Sequence, residues 1–449
     1  MRRMRLTNFL CACVLACSAS WPFAGTSLAA ERVTFIRDTE IENTIRAYTA
    51  PLFAAAGLDA AFVRIHLIKD RRLNAFVAGG QQIFLHTGLL RRAENAGQVI
   101  GVLSHEIGHI AGGHLARLDE QLKNASVQSI VALVLAIPAA VVSGDSRVGA
   151  AILSGGTALT QNSVLQFTRT MESAADQAAV TFLDRSQISA QGMLEFLELL
   201  VNQESIYSSG NSPYLSTHPI TRERVDFVRN HLKNSKLARR PLPSQLNNMH
   251  RRMRGKLNGF IDPPEQTLAA YSADSPDIEA QYARAVALMR QNDVDEALAI
   301  ADRLLAQSRN DPFFLELKAD ILRNAGRVRE ALAPYQAAVA IAPWAALIRV
   351  NLAQAQLELN DNSLTHHALD NVNEALRYEP TLVQAWHLAA IAYGRIQDFG
   401  NLALALAERS ELQGRKSDTR RYVKQAMKIL PEGSPAWQRA QDIGNAVAD

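Results

Sequence analysis

The sequence predicts an α+β chain, mostly helical, in which a small β-sheet packed on helices is followed by an all-α solenoid of tandem repeats. Three observations predict it. Short β-rich segments are confined to the stretch before Arg92, helical patterning dominates beyond Gln98, and Ala, Gly and Pro recur in phase through the last third of the chain. With 449 residues, 48% of them hydrophobic and 20% charged, the chain can bury a full core and divide into two domains.

The start reads MRRMR, then an apolar stretch from Leu6 to Leu28, then Ala29-Ala30. That order of basic, apolar and small residues is a secretory signal, expected to be cut near Ala29 or Ala30 and to send the protein out of the cytoplasm. Cys11, Cys13 and Cys17 all fall inside it, so the mature chain is expected to carry neither thiol nor disulfide. Val14-Leu15-Ala16-Cys17 offers an alternative, a lipoprotein-type cleavage box with a lipid on Cys17, although Leu15 fits it poorly. Losing Arg2, Arg3 and Arg5 leaves 44 basic and 44 acidic residues. Such a neutral balance gives no broad footprint for nucleic acid or anionic lipid, and the basic run from Lys233 to Arg254 reads as a solvated face or docking surface.

From Glu31 onward the pattern gives a strand at Val33 to Ile36, a helix from Glu40 to Ala56, and β segments at Val63 to Ile68 and Gln82 to His86. Further helices are expected through His105, from Val164 to Leu183 and from Ala190 to Gln203. The apolar run Ile130 to Val142 contains Pro138 and is too short to span a bilayer; it reads as a buried or interfacial hairpin beside the site, compatible with peripheral membrane association. Pro241, Pro243, Pro263 and Pro264 punctuate the stretch before a boundary near residue 270. The expected division is 1–30 signal, 31–270 catalytic domain and 271–449 repeats.

In the last segment Ala285, Ala319 and Ala353 share a period of 34, as do Ala297 and Ala331. Ala331 lies in Gly326-x-x-x-x-Ala331-x-x-x-Tyr335, closed by Pro343. The next unit, Trp344 to Pro380, is longer, consistent with an insertion around Asn360 to Leu364, and Trp386, Ala390 and Tyr393 resume the pattern. These are tetratricopeptide signatures: helix pairs whose small residues allow close approach and whose stacking builds a concave surface, usually for protein or peptide.

The chemistry gathers at His105-Glu106-Ile107-Gly108-His109. A four-residue step on a helix aims both imidazoles from one face, where they can share one zinc ion. Glu106 can take a proton from a water at that ion and hand it to the leaving amine, while zinc acidifies the water and polarises the scissile carbonyl. Two residues compete as third ligand. His114 follows Gly112 in imitation of the H-E-x-x-H-x-x-G-x-x-H pattern but stands one position early, since residue 115 is Leu115. Glu172, in Met171-Glu172-Ser173-Ala174-Ala175-Asp176, brings Asp176 on the same helix face to orient a histidine. The second arrangement is favoured, with His114 as a helix-end residue or one that touches a ligand from behind.

With its E-x-x-A-D helix, and Thr217-His218-Pro219 followed by Arg222 and Arg224, the chain resembles the gluzincin endopeptidases that include the CAAX prenyl protease and the membrane heat-shock protease. The resemblance covers nearly all of the mature chain and is nearest to exported members with C-terminal repeats. It implies a zincin-like fold and one Zn2+ per chain held by His105, His109 and Glu172, with Glu106 as general base and acid. It also implies that His218 is a removable fourth ligand that keeps the enzyme latent, and that Arg224 helps stabilise the oxyanion or the site. The implied role is periplasmic quality control and assembly of outer-membrane β-barrel proteins, acting on unfolded or misassembled polypeptide, with the repeats docking substrate or the assembly machinery. A chaperone or adaptor with a chiefly structural zinc site is the alternative, and a non-peptidase zinc hydrolase a further one. Zinc proteases of this build pair an edge strand with the substrate backbone, and Gln82 to His86 is expected to be that strand, with Phe84→Pro removing cleavage.

Overall fold

A computed structural model describes residues 33–114, 161–206, 218 and 221–447, the side chains of 161–168 and 202–206 apart. The expected signal segment with Cys17 and the Ile130 to Val142 run lie outside the described residues. Among those described, no helix is long and apolar enough to cross a membrane.

The first strand, β1 (Phe35–Ile36), leads into α1 (Thr39–Ala56), whose first turn is fixed by the Asp38 carboxylate accepting the Ile41 N–H at 2.9 Å. Strands β2 (Arg64–Ile68), β3 (Ala75–Ala78) and β4 (Gln82–His86) complete a sheet of order β1-β2-β4-β3, with β2 and β4 parallel and the other pairs antiparallel. Two predicted features change here. Ala75-Phe76-Val77-Ala78 is buried at every position, so it shows no alternation and leaves no strand signal, yet it takes the outer edge. Gln82–His86 is consequently an inner strand, bonded to β2 on one side and β3 on the other, and cannot pair with a substrate backbone. Among the described strands, the outer edge on this side belongs to Ala75–Ala78.

A short helix α2 (Thr87–Arg92) precedes the buried α3 (Ala96–Ala111), started by the Asn95 side chain accepting the Gln98 N–H at 3.1 Å. Leu67, Ala75, Val77, Ile83 and Leu85 of the sheet join Ile45, Tyr48 and Leu52 of α1 and Val99, Val102 and Leu103 of α3 in one core. Helices α4 (Gln161–Arg185), α5 (Gln191–Ile206), α6 (Arg222–Asn234), α7 (Ser244–Ile261) and α8 (Pro264–Ala270) follow, with α4 and α5 packed along α3.

The rest is a succession of helix pairs: α9 (Ile278–Gln291) with α10 (Val294–Gln307), α11 (Pro312–Asn324) with α12 (Val328–Ile341), α13 (Ala346–Glu358) with α14 (Asn362–Tyr378), and α15 (Val383–Arg395) with α16 (Phe399–Leu412). Then come α17 (Lys416–Ile429) and α18 (Pro435–Ala446). Ala285, Ala297, Ala319, Ala331 and Ala353, picked out by their period, are all fully buried. Each of the first four pairs turns on a residue with left-handed backbone, at Asn292, Gly326, Asn360 and Gln397; the first three keep the same period, and Gln397 comes late, after the longer unit. The long unit is explained by α14, which has 17 residues where α10 and α12 have 14.

The array is joined to the sheet-bearing part through α7, which packs along α9 so closely that a Cβ at Gly255 would collide with the Glu279 carbonyl oxygen and one at Gly259 would stand 2.8 Å from Ala283 O. Charges are buried along this seam. Lys256 Nζ lies 2.7 Å from Asp38, and Arg252 bonds Glu40 at 2.6 Å and Asp311 at 2.6 Å, while Tyr282 donates its hydroxyl to Glu40 at 2.6 Å.

Candidate metal centre

Helix α3 is apolar around most of its circumference, as a core helix should be, and this carries His105, Glu106 and His109 into the interior. Its neighbours come close because two glycines allow it. A Cβ at Gly101 would meet Met193 Cα of α5 at 2.6 Å, and one at Gly108 would meet the Ala175 carbonyl oxygen of α4 at 2.7 Å. The second approach matters most, because Ala175 lies between Glu172 and Asp176. Gly108 and the small residues Ser173, Ala174 and Ala175 were the available signal for this packing, and the sequence reading left it unused.

The structure brings together every residue singled out for chemistry. His105, His109, Glu172 and His218 each offer one atom to a group lying within 4.8 Å, and all four are buried. His105 Nε2 is 3.1 Å from His109 Nε2 and 3.2 Å from Glu172 Oε2, and His109 Nε2 is 3.2 Å from Glu172 Oε1. His218 Nδ1 stands 3.1 Å from Glu172 Oε1 and 3.3 Å from His105 Nε2. A tetrahedral ion with donors at about 2.0–2.1 Å would have donor–donor edges of about 3.3–3.4 Å, so these separations fit one zinc-sized cation.

Behind the cluster the charges are paired. His105 Nδ1 lies 2.8 Å from Asp176 Oδ1, which places its proton on Nδ1 and turns the Nε2 lone pair toward the other ligand atoms. Arg224, from the first turn of α6, donates Nε and Nη2 to the two Asp176 oxygens at 2.7 and 2.9 Å and Nη1 to Glu172 at 2.8 Å. Its guanidinium therefore sits on the carboxylate side of the group. His114 Nδ1 is 3.1 Å from His109 Nδ1, so it contacts a cluster residue from behind and stays out of the group itself.

Burial opposes a charged imidazole at His105, yet the Asp176 and Glu172 carboxylates outweigh it and hold His105 up at about 9. At His109 burial prevails, lowering it to about 3 and keeping the ring neutral. Burial also opposes charge on Glu172, but the surrounding histidines pull its carboxyl far below the ordinary range. The buried carboxylates thus favour a cation beside them, a second proton on His105 at Nε2 or a metal ion in its place. Glu106 is fully buried, burial raises its pKa, and neither carboxylate oxygen has a hydrogen-bond partner among the described residues; Oε1 lies 3.5 Å from His218 Nε2.

Comparison with known proteins agrees with this geometry. Residues 37–232 match peptidase family M48. The beta-barrel assembly-enhancing protease of Escherichia coli O157:H7 is 28% identical over 362 residues, covering 78% of this chain and 71% of that protein. The mitochondrial metalloendopeptidase OMA1 of Saccharomyces cerevisiae is 28% identical over 185 residues, covering 40% of this chain and 50% of that one. A thermophilic TPR protein of Thermus thermophilus superposes with a TM-score of 0.24 at 19% identity, over 40% of this chain and 98% of that one, too poorly to inform the fold. Residues 37–232 thus carry a peptidase M48 domain, and the protein is a zinc-dependent metalloendopeptidase.

Proposed function

We propose that this is a periplasmic endopeptidase of outer-membrane protein quality control and assembly, in which residues 31–270 cut misfolded polypeptide and residues 271–449 dock the substrate or the assembly machinery. The carrying observation is the convergence of His105, His109 and Glu172 beside the buried carboxylate of Glu106. The compartment and substrate class are supported by the similarity to the beta-barrel assembly-enhancing protease over 78% of the chain. Export follows from the N-terminal signal.

In this reading His105, His109 and Glu172 hold the ion. Bound there, zinc supplies Lewis acidity toward water and the scissile carbonyl. Glu106, with its pKa raised by burial, accepts the proton of the attacking water at a carboxylate oxygen and delivers it to the leaving amine. Asp176 keeps the His105 proton on Nδ1, and Arg224 holds Asp176 and Glu172 in place, acting as a positioning residue. His218 would be the ligand in the fourth position, excluding water until it moves aside and so keeping the resting enzyme latent.

That fourth position also favours a second reading, since four protein ligands characterise structural zinc sites. There the chain would work as a repeat-based chaperone or adaptor. Cleavage of casein by the mature protein, with and without chelator, separates the two. His218→Ala should gain chelator-sensitive cleavage, and unchanged or lower activity with zinc retained would count against the latch. Glu106→Gln in the His218→Ala background should lower cleavage by roughly 10²- to 10⁴-fold with zinc still bound. Full biological function in Glu106→Gln without cleavage would favour the adaptor.

A further inference from the structure

The two histidines of α3 are both held from behind, but by different means. We propose that His114 is the positioning residue for His109, so that Gly112-Gly113-His114 is a working part of the metal centre. The inference rests on the reading of His105, His109 and Glu172 as zinc ligands.

His109 Nε2 faces the cluster, and its other nitrogen, Nδ1, lies 3.1 Å from Nδ1 of His114. The rings stand nearly perpendicular, at 80° with centroids 5.0 Å apart. Two imidazole nitrogens at that distance share one proton. With the Nε2 lone pair of His109 turned to the ion, its Nδ1 carries the hydrogen and donates it, and His114 Nδ1 accepts, leaving the hydrogen of His114 on Nε2. His105 is steered by the charged carboxylate of Asp176, whereas His109 is steered by a neutral ring.

A continuous helix could not produce this contact, because side chains five positions apart do not share a face. The chain has to fold back, and two glycines let it do so. Gly113 has φ +61, the left-handed region that glycine enters without steric penalty, and the His114 N–H then reaches the His109 carbonyl at 3.2 Å. Gly112 clears the path of the ring, since a Cβ there would collide with His114 Nε2. An ordinary helix end would account for Gly113 but would require neither Gly112 nor an imidazole at 114.

The test measures zinc affinity by chelator competition on the full mature chain, together with the visible absorption of its cobalt(II) form. Gly112→Ala suits the local backbone, φ −76 and ψ −6, and keeps the imidazole while displacing it. Both Gly112→Ala and His114→Ala should bind zinc about 10- to 100-fold more weakly and shift the cobalt spectrum. His114→Asn, which offers an acceptor oxygen near the Nδ1 position, should recover most of both. Unchanged affinity and spectrum in Gly112→Ala and His114→Ala, even with a lower Tm, would reduce His114 to helix-end packing and overturn the inference. Zinc affinity unaltered by His109→Ala would instead remove the ligand assignment, and the inference with it.

Discussion

The metal centre and the repeat array are assembled over different distances along the chain. In the centre, His218 meets Glu172 across 46 positions and Arg224 approaches His105 across 119. In the array, Tyr335 meets Asp320 across 15 and Asn351 meets Glu316 across 35. Apart from the bonds that Tyr282, Asp311, Glu316 and Glu379 make to the sheet-bearing part, the repeats pack within a unit or against the next, and damage away from those four residues should stay local. The centre has no such insulation, because its ligand atoms agree only if α3, α4 and the segment before α6 all stand correctly.

The largest effect is expected where the two regions join. Lys256 is 5% exposed among Asp38, Glu40 and Glu316, so Lys256→Ala leaves buried carboxylates without their cation and should cost roughly 3–5 kcal/mol in urea unfolding. Zinc binding and the helical signal should be lost together; two separate transitions with only one displaced would mean that the regions fold independently of this joint. A smaller and more selective contrast comes from overfilling each region. Gly108→Ala and Ala319→Leu should each destabilise by about 1–3 kcal/mol, but only the first, which pushes α3 away from Ala175, should weaken zinc binding. Equal losses of zinc affinity would erase the distinction.

The smallest difference is one of pH, read in chelated protein. Asp176 is opposed by burial but held below its usual range by His105 and Arg224. Its contribution is present above the ordinary carboxylate pKa, roughly 4, and disappears as pH falls through the depressed native value. Glu316 behaves in the opposite sense: burial raises it to about 8, so its contribution is whole below the ordinary range and is lost as pH rises toward 8. Asp176→Asn should flatten the stability profile on the acid side and Glu316→Gln the profile between about 4 and 8. Matching changes from both variants would contradict these assignments.

The same contrast decides what could be read in advance. The array was legible because Ala285, Ala319 and Ala353 repeat a local requirement, burial against the next helix, at a fixed interval. Half of the centre was legible too, since four-residue spacing alone puts His105 with His109 and Glu172 with Asp176. That the two pairs meet depends on Gly108 opposite Ala175, a relation between distant surfaces that the small residues at each place allow but do not pair with one another. His218 entered only through resemblance to other proteins. Strand β3 was missed because an evenly buried four-residue run carries no period, and with it went the position of Gln82–His86, whose expected edge became an interior.

The glycine seam between α7 and α9 has a consequence for anyone wishing to exchange the repeat array of this protein for another. Because Gly255 and Gly259 are moulded to the backbone of the first repeat helix, that helix serves as the enzyme's own outer wall. A graft should leave Ile278–Gln291 with the catalytic portion and begin the foreign sequence after it; one spliced between these helices would bring a wall cut to a different mould.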